Sequence, residues 1–497
     1  MGSRSIVYVA GLLSLLAPLS ELAMGQTFAT VVNFDQNNGG WPEAALTQGS
    51  DGLLYGTAPG GGNGRAGLIF RLNPEGGVSI VYTFCEHSFE CSDGENPVAP
   101  LIVGHDGAFY GTAQDGGARG CDGGGCGTVF RVTADGTFSV LHRFVPGEGG
   151  SPKGALIQAT DGNFYGTTQQ SVPMADLGGG GTIFRMTPGG RVTVLYRFTN
   201  LENDPGSWPT GSLVQASDGN LYGTTGTGGD IGCNPPFGCG TVYRMTLDGA
   251  FSVMHVFEFH DGEFPYGVLL QASDGNLYGT TLVAGNPTCR EGYGCGTIYR
   301  LDLKGNFSVA HAFTGPLQDG DLPYAGLIAG SDGNLYGVST GGGSYQFGTI
   351  FSIDPDGENS TRSTGLPIRT IHSFGYSDFP AMGSLVQSTT GDFFGTTQYS
   401  RGGPSCECGT LFTFSTGQGP FVALERYFGR PGDTGRIIGQ GFTGTTDVSV
   451  NGVAAPFDVI SDTELMATVP TGATSGYVTV TRPGGTLTSN KPFQVIP

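Results

Sequence analysis

Short stretches of alternating apolar and polar residues recur along most of the chain, and Gly, Asp, Asn or Pro bounds each of them. Alternation with a period of two is typical of β-strands that bury one face. The pattern is clearest around Asp218–Thr225 (DGNLYGTT), and variants of this phrase recur every 55 to 58 residues. The aromatic residues at its fifth position are Tyr55, Tyr110, Tyr165, Tyr222, Tyr278, Tyr336 and Phe394. The sequence therefore predicts seven copies of one β-unit.

Each copy predicts four short strands. The phrase is followed by a segment such as Gly240–Arg244, then by one such as Phe138–Phe144, and then by a proline-led segment such as Pro209–Ala216. Asp-Gly between two alternating segments is a strong hairpin signal, because glycine accepts a positive φ. Four-stranded antiparallel units repeated about an axis are the blades of a β-propeller. We therefore predict an all-β protein built on a seven-bladed propeller.

The two ends of the repeat region predict how the propeller closes. The seventh copy stops at Gly409–Phe414 and lacks its fourth strand, whereas Thr27–Phe34 aligns with the fourth-strand segment Thr137–Phe144. We expect the N-terminal segment to complete the last blade, which removes the open sheet edge that a linear solenoid would leave.

Both termini differ from the repeats. A short basic region, the apolar run Ile6–Leu22 and a small-residue cleavage signal predict a signal peptide over residues 1–25. The repeats then occupy residues 26–416. Residues 417–497 contain short alternating segments between Gly and Pro turns, which predict an immunoglobulin-like β-sandwich. No second apolar segment is long enough to span a membrane.

The ten cysteines fall into five close pairs, and none has the C-x-x-C spacing of a zinc knuckle. In an exported protein this arrangement predicts disulfides within loops. The predicted pairs are Cys85 with Cys91, Cys121 with Cys126, Cys233 with Cys239, Cys289 with Cys295, and Cys406 with Cys408. Whether the last pair forms is left open, because the ring that it would close is so short.

Charge excludes some partners. The formal net charge is −20 over 497 residues. Such acidity argues against nucleic acid and against an anionic membrane surface as partners. We expect a monomer in an extracellular or cell-surface setting.

Residues that recur in every copy are predicted to be structural, because equivalent side chains on outer strands are spread around a ring. The long loops that vary between copies are therefore the predicted binding surface. Phe264 and Tyr324 lie in those loops. The candidate binding residues there are Trp41, Trp208, Glu258, His260, Asp261, Glu263, Asp319 and Asp321. We predict no catalytic residue and no metal site, although the loop acids leave Ca²⁺ binding open.

Two parts of the chain resemble known families. Asp218–Thr225, Gly240–Arg244 and Asp261–Pro265 resemble the GloVer tandem repeat of exported bacterial "choice-of-anchor" proteins, over residues 27–416. That resemblance implies an exported protein tied to a cell surface or matrix. Gly435–Phe442 and Gly476–Thr481 are similar to the IPT/TIG domain, which implies a spacer or interaction module.

Two functions remain open on these grounds. The first is a secreted or cell-surface, non-catalytic binding or adhesion protein that contacts a glycan or protein through the long loops, with the IPT/TIG module as a spacer. The alternative is a secreted propeller hydrolase or lyase acting on carbohydrate or lactone substrates. Propellers host both classes, so the fold alone does not choose between them.

Overall fold

The computed structural model describes residues 27–62, 64–86, 90–121, 124–170, 180–199, 205–315, 319–355, 366–376, 383–400 and 406–496. The predicted signal peptide lies outside these residues. The described chain is all-β, with seven repeat sheets followed by a smaller set of C-terminal sheets, and the repeat sheets are antiparallel except for the short parallel pair β8–β9 in the second. It contains no α-helix in those ranges and a single turn of 3-10 helix at Arg290–Gly292. None of its described helical segments is long and apolar enough to cross a membrane.

The repeat strands follow the predicted order. Strand β1 is Thr27–Asn33, and the first sheet contains β2 (Thr47–Gln48), β3 (Leu54–Ala58), β4 (Leu68–Leu72) and β5 (Val78–Thr83). The second contains β6 (Ile102–Val103), β7 (Phe109–Ala113), β8 (Gly116–Gly117), β9 (Gly125–Val132) and β10 (Phe138–Arg143). The third contains β11 (Ile157–Gln158), β12 (Phe164–Thr168), β13 (Thr182–Met186) and β14 (Val192–Arg197). The fourth contains β15 (Val214–Gln215), β16 (Leu221–Thr225), β17 (Thr241–Met245) and β18 (Phe251–Val256).

The fifth sheet contains β19 (Leu270–Gln271), β20 (Leu277–Thr281), β21 (Thr297–Leu301) and β22 (Phe307–Ala312). The sixth contains β23 (Ile328–Ala329), β24 (Leu335–Ser339), β25 (Thr349–Ile353) and β26 (Ile368–Ser373). The last contains β27 (Val386–Gln387), β28 (Phe393–Thr397), β29 (Thr410–Ser415) and, as its fourth strand, β1. Thr27 pairs with Ser415 and Asn33 with Thr410 in this sheet, so the predicted pairing of the N-terminal strand is present.

The recurring phrase forms the tight turn between the first two strands of each sheet. In the fourth sheet Gly219 has a φ of 82°. One Asp218 carboxylate oxygen accepts the Asn220 backbone N–H at 3.0 Å, and the other accepts the Tyr222 hydroxyl at 2.8 Å. Glycine takes this φ without steric cost, and the aspartate replaces backbone hydrogen bonds that the turn leaves open. The Asp-Gly phrase is thus a turn, as predicted.

These turns define two sides of the repeats. The turn side carries the tight turns at residues 49–53, 104–108, 159–163, 216–220, 272–276, 330–334 and 388–392. The loop side is the opposite one, where the longer connections between strands lie. Antiparallel strand order places these two kinds of connection at opposite ends of each sheet.

Repeated side chains join each sheet to the next. Gln215 accepts the backbone N–H of Thr160 in the preceding sheet at 3.0 Å, and several other sheet pairs repeat this bond. The first and last sheets are joined in the same way, since Gln48 accepts the N–H of Thr389 at 3.0 Å. Their apolar residues share one buried cluster that includes Phe70 and Leu411.

The C-terminal region forms two four-stranded sheets and a two-stranded parallel pair around a separate apolar core. The strands are β30 (Ala423–Leu424), β31 (Phe428–Gly429), β32 (Thr434–Ile438), β33 (Asp447–Val450), β34 (Val453–Ala454), β35 (Phe457–Val459), β36 (Glu464–Thr468), β37 (Val478–Arg482), β38 (Gly485–Thr488) and β39 (Gln494–Val495). Val422, Phe442, Leu465 and Val480 lie at the centre of this core. Two facing sheets with a shared core are the architecture of a β-sandwich.

All five predicted cysteine pairs are disulfide-bonded, and they include the last pair, which the sequence left open. The bonds join Cys85 to Cys91, Cys121 to Cys126, Cys233 to Cys239, Cys289 to Cys295, and Cys406 to Cys408. The described residues contain no free cysteine. Disulfides persist in oxidising compartments, so this pattern favours export of the protein.

Candidate functional site

The loop side is shaped by an unusual backbone position that recurs before six of the repeat prolines in the described residues. Trp41, Trp208 and Phe264 occupy it with φ values of 55°, 55° and 57°. Residues before proline favour extended backbone, so a positive φ here stores strain that surrounding contacts must offset. One such contact is the Trp208 N–H, which donates to the Gly180 carbonyl at 2.8 Å. Because the feature recurs in sheet after sheet, we attribute it to the fold.

The residue directly after the repeat proline lines one pocket in six of the repeats. The pocket lies on the loop side and has a volume of about 170 Å³. Six of the sheets contribute the equivalent residue to its wall, namely Glu43, Val98, Lys153, Thr210, Tyr266 and Tyr324. The seventh equivalent residue lies outside the described residues. These equivalent positions converge on one pocket, so differing side chains meet in one place.

Aromatic rings form one wall of this loop-side pocket. The rings of Tyr266 and Tyr324 have centroids 5.5 Å apart, and Phe264 stacks on Tyr266 at 5.6 Å. Burial raises the pKa of Tyr266 to about 12, and Tyr324 and Glu263 add to this shift. Burial also raises the pKa of Tyr324, with a further contribution from Glu43. Both hydroxyls are therefore neutral hydrogen-bonding groups at neutral pH.

Charged and polar groups form the rest of the wall. Burial raises the pKa of Glu43, while a hydrogen bond from Gln398 and the charge of Lys153 oppose that shift. Among the described residues the buried Thr210 hydroxyl has no hydrogen-bond partner. A buried polar atom without a partner costs free energy unless a ligand or water satisfies it. The pocket thus presents aromatic faces, an acid, an ammonium and a free hydroxyl.

Two of the predicted binding acids form hydrogen bonds within the protein. Asp261 accepts from the His255 ring at 2.9 Å and from the Glu258 backbone N–H at 2.8 Å. Asp319 accepts from His311 at 2.8 Å and from the Thr314 N–H at 2.9 Å. Both acids are buried. The recurring histidines therefore hold loop acids, so Asp261 and Asp319 stabilise the loops, and their part in ligand binding stays a prediction.

The remaining predicted residues are dispersed. Glu263 and Asp321 are buried at equivalent positions, and burial raises the pKa of each. Glu263 accepts from the Asn234 side chain, and Asp321 lies 3.3 Å from Arg290. Glu258 and His260 form an exposed pair separated by 3.2 Å. None of these four residues lines the loop-side pocket.

The two predicted tryptophans lie next to the pocket rather than in its wall. Trp41 and Trp208 are 36% and 43% exposed, and each directly precedes the proline that leads into the pocket. Exposed tryptophans beside a pocket are suited to ligand contact.

Sequence reasoning missed Glu43, Lys153 and Tyr266. The signal was the residue after the repeat proline, which changes chemistry from copy to copy while its neighbours recur. The residues after the repeat prolines converge on one pocket, whereas the recurring arginines and histidines lie on outer strands.

The possible calcium site receives no support. The described ranges contain no group of three or more His, Cys, Asp or Glu side chains placed to hold a metal ion. The loop acids instead bond with neighbouring histidines, backbone amides or side-chain amides, as Asp261, Asp319 and Glu263 do.

Comparison with protein families settles the relationship of the chain. The model of the Gloeobacter/Verrucomicrobia repeat matches residues 85–234 and 232–455, which together span most of the chain. The chain belongs to the Gloeobacter/Verrucomicrobia repeat family. Residues 424–495 match the IPT/TIG domain, so both suspected resemblances are confirmed. This domain combination indicates an extracellular, adhesion-type protein. No curated protein matches the chain.

The chain matches several solved structures at low sequence identity. A fungal alcohol oxidase in complex with copper is 12% identical, with 95% of this chain and 99% of that chain covered and a TM-score of 0.51. A luciferin-regenerating enzyme is 12% identical over 80% of this chain and 98% of its own, with a TM-score of 0.39. A Bacteroides thetaiotaomicron protein of unknown function is 12% identical over 79% and 76%, with a TM-score of 0.38. The first shows a similar fold only, and the enzyme alternative gains no support.

Proposed function

We propose that the protein is an exported, non-catalytic adhesion protein that binds an extracellular glycan at the loop-side pocket. In this proposal residues 1–25 are a signal peptide, residues 26–416 close into a seven-bladed propeller and residues 417–497 are the IPT/TIG domain. The Gln48–Thr389 hydrogen bond and the pairing of β1 with β29 support closure, because both link the first and last repeats.

The observation that carries the proposal is the convergence of unlike side chains at one repeat position. Tyr266 and Tyr324 offer flat faces on which a sugar ring can stack, and Glu43 can accept its hydroxyls. A volume of about 170 Å³ lies below the range of about 300–1,000 Å³ for drug-sized ligands. The pocket therefore suits a single terminal sugar ring, with Trp41 and Trp208 positioned to contact the next one.

A glycan array tests this proposal directly. The chain from residue 26 onward should bind a defined set of glycans, and the variant carrying Tyr266→Ala and Tyr324→Ala should lose at least about tenfold in affinity. Tyr345→Ala is the matched control, because Tyr345 is a loop aromatic that is 64% exposed and lies outside the pocket. Thermal unfolding confirms that each variant is folded.

Two outcomes would count against the proposal. One is that no glycan binds the folded protein. The other is that Tyr345→Ala weakens binding as much as the double variant does. Turnover of a glycoside, ester or lactone that Glu43→Gln abolishes would instead favour the hydrolase or lyase alternative.

A further inference from the structure

The IPT/TIG domain packs against the turn side of the repeats through a buried arginine. Arg436 is 7% exposed. It donates to the carbonyl oxygens of Gly104 and His105, each at 3.1 Å, and its Nε lies 2.6 Å from Glu464. A buried arginine with a carboxylate and two carbonyl partners fixes orientation, since its planar donors have defined directions. The domain is thus attached to the repeats and is not a freely hanging spacer.

Further contacts join the domain to neighbouring repeats. Glu425 lies 3.1 Å from the His105 ring, and Gln440 donates to the Thr389 hydroxyl at 3.1 Å. The Thr463 hydroxyl donates to the Ser50 carbonyl. These contacts fall on the first, second and last sheets.

A cavity of about 460 Å³ lies between the domain and the turn side of the second to fifth sheets. This volume is within the range typical of sites for small molecules. The repeats contribute apolar residues such as Ile157 and Val214 and the hydroxyls of Thr160 and Ser217. These hydroxyls accept hydrogen bonds from Gln215 and Gln271, so each still has its own O–H to donate.

The domain contributes an unmatched positive charge. Lys491 lines the cavity, and its ammonium lies 5.1 Å from the centre of the Tyr427 ring. Among the described residues no carboxylate lies within 4 Å of this ammonium, whereas the other charges beside it, Arg436, Arg426 and Glu425, have ionic partners. Burial lowers the pKa of Lys491 to about 8. An anionic ligand stabilises a desolvated cation beside an aromatic ring more strongly than it stabilises a cation exposed to solvent.

We propose that this cavity is a second binding site, which takes a small amphiphilic carboxylate with its acid group on Lys491 and its apolar body against Ile157 and Val214. The Thr160 and Ser217 hydroxyls complete the recognition of the carboxylate. The site lies on the opposite side of the repeats from the loop-side pocket and does not depend on the glycan proposal.

Calorimetric titration of the chain from residue 26 onward with sodium octanoate at pH 7 tests this site. We expect binding of one octanoate per chain, at least tenfold weaker binding of 1-octanol and no measurable binding of inorganic phosphate. Lys491→Met should weaken octanoate binding at least tenfold, and Lys491→Arg should largely preserve it because the charge is kept. Lys304→Met is the control, since Lys304 is an exposed lysine outside the cavity.

Thermal unfolding of Lys491→Met shows whether the variant remains folded. It should be at least as stable as the original protein, because the substitution removes a partly buried charge that has no ionic partner among the described residues. Failure of octanoate to bind the original protein would overturn the proposal. So would equal octanoate affinity in a folded Lys491→Met variant, or phosphate binding as tight as that of octanoate.

Discussion

The two sides of the repeats use the same strands for different purposes. On the turn side, Asp218 and its equivalents hold one turn geometry, and glutamines such as Gln215 join one sheet to the next. On the loop side, the residue after the repeat proline differs between repeats: it is the acidic Glu43 in one, the basic Lys153 in another and the aromatic Tyr266 in a third. Recurrence therefore marks residues that build the fold, whereas the side chains that converge on the pocket differ in chemistry from repeat to repeat.

Removal of the N-terminal strand should have the largest effect on the stability of the repeats. Without residues 27–34 the last sheet loses β1, together with the buried Val32 and Phe34. Burying a large apolar side chain contributes roughly 1.5–3 kcal/mol, against a typical total stability of ~5–15 kcal/mol. We expect aggregation and no cooperative unfolding transition. Size-exclusion chromatography and calorimetry would check this, with a chain starting at residue 27 as the control.

A truncated chain that stays monomeric and unfolds at the original temperature would contradict the closed propeller. In that case the sheets would form an open array whose end needs no added strand.

Arg436→Ala should have the next largest effect on stability, and it tests the attachment of the IPT/TIG domain to the repeats. The substitution leaves the largely buried side chain of Glu464 without its partner, and it removes the donors to Gly104 and His105. Removing one member of a buried ion pair typically costs about 3–5 kcal/mol. We expect a separate, earlier unfolding transition of the domain in calorimetry.

Arg430→Ala is the control for this experiment, since Arg430 is an exposed arginine of the same domain. It should change stability by no more than about 0.5 kcal/mol. A single unshifted transition in Arg436→Ala would show that the domain does not rely on this contact.

Much of the fold could be predicted from the sequence, because its signals are local and repeated. The Asp-Gly turns, the alternating strands and the missing fourth strand of the last copy all lie within short windows, and β1 pairs with β29 as expected. Cysteine spacing likewise predicted four of the disulfides that the structure contains, and it left the fifth, between Cys406 and Cys408, open.

The candidate site was harder to predict, because it depends on how distant repeats come together in space, which no short stretch of sequence reports. Nothing in the sequence indicated that loop acids such as Asp261 have intramolecular partners, yet Asp261 forms a hydrogen bond with the recurring histidine His255. Glu43 and Tyr266, by contrast, are far apart in the chain and meet only through the arrangement of the sheets. Docking of the IPT/TIG domain through Arg436 also has no sequence signal, since one arginine in a strand is common.

Asp319→Asn should have a moderate effect and tests whether the recurring histidine–acid pairs are structural. Burial alone would raise the pKa of Asp319, but hydrogen bonds from His311 and Thr314 lower it below its usual value. The ionised carboxylate therefore stabilises the folded protein at neutral pH. We expect Asp319→Asn to lower the free energy of unfolding by about 1–3 kcal/mol at pH 7, without altering glycan binding.

The pH dependence sharpens this prediction. A carboxyl with a depressed folded pKa contributes stability above its unfolded pKa, and that stability is lost as pH falls through the folded pKa. The difference between the original protein and Asp319→Asn should therefore shrink below pH ~4. Glu75→Gln alters an exposed acid and is the control. Its free energy of unfolding should match that of the original protein both at neutral pH and in acid. If the difference in the free energy of unfolding between the original protein and Asp319→Asn stayed unchanged in acid, the charge of the carboxylate would not be the source of its stabilising effect.

Glu43→Gln should have the smallest effect on stability, and its sign should be opposite to that of Asp319→Asn. Burial raises the pKa of Glu43, with Gln398 and Lys153 opposing the shift, so the folded protein holds this proton more tightly than the unfolded chain does. Stability from this group is present below the unfolded pKa and is lost as pH rises through the folded pKa. At pH 7 the neutral glutamine should therefore stabilise the protein by less than about 1 kcal/mol, while glycan affinity falls. Denaturant unfolding at pH 4 and 7 checks the sign, and a loss of stability at pH 7 would place Glu43 with the structural acids.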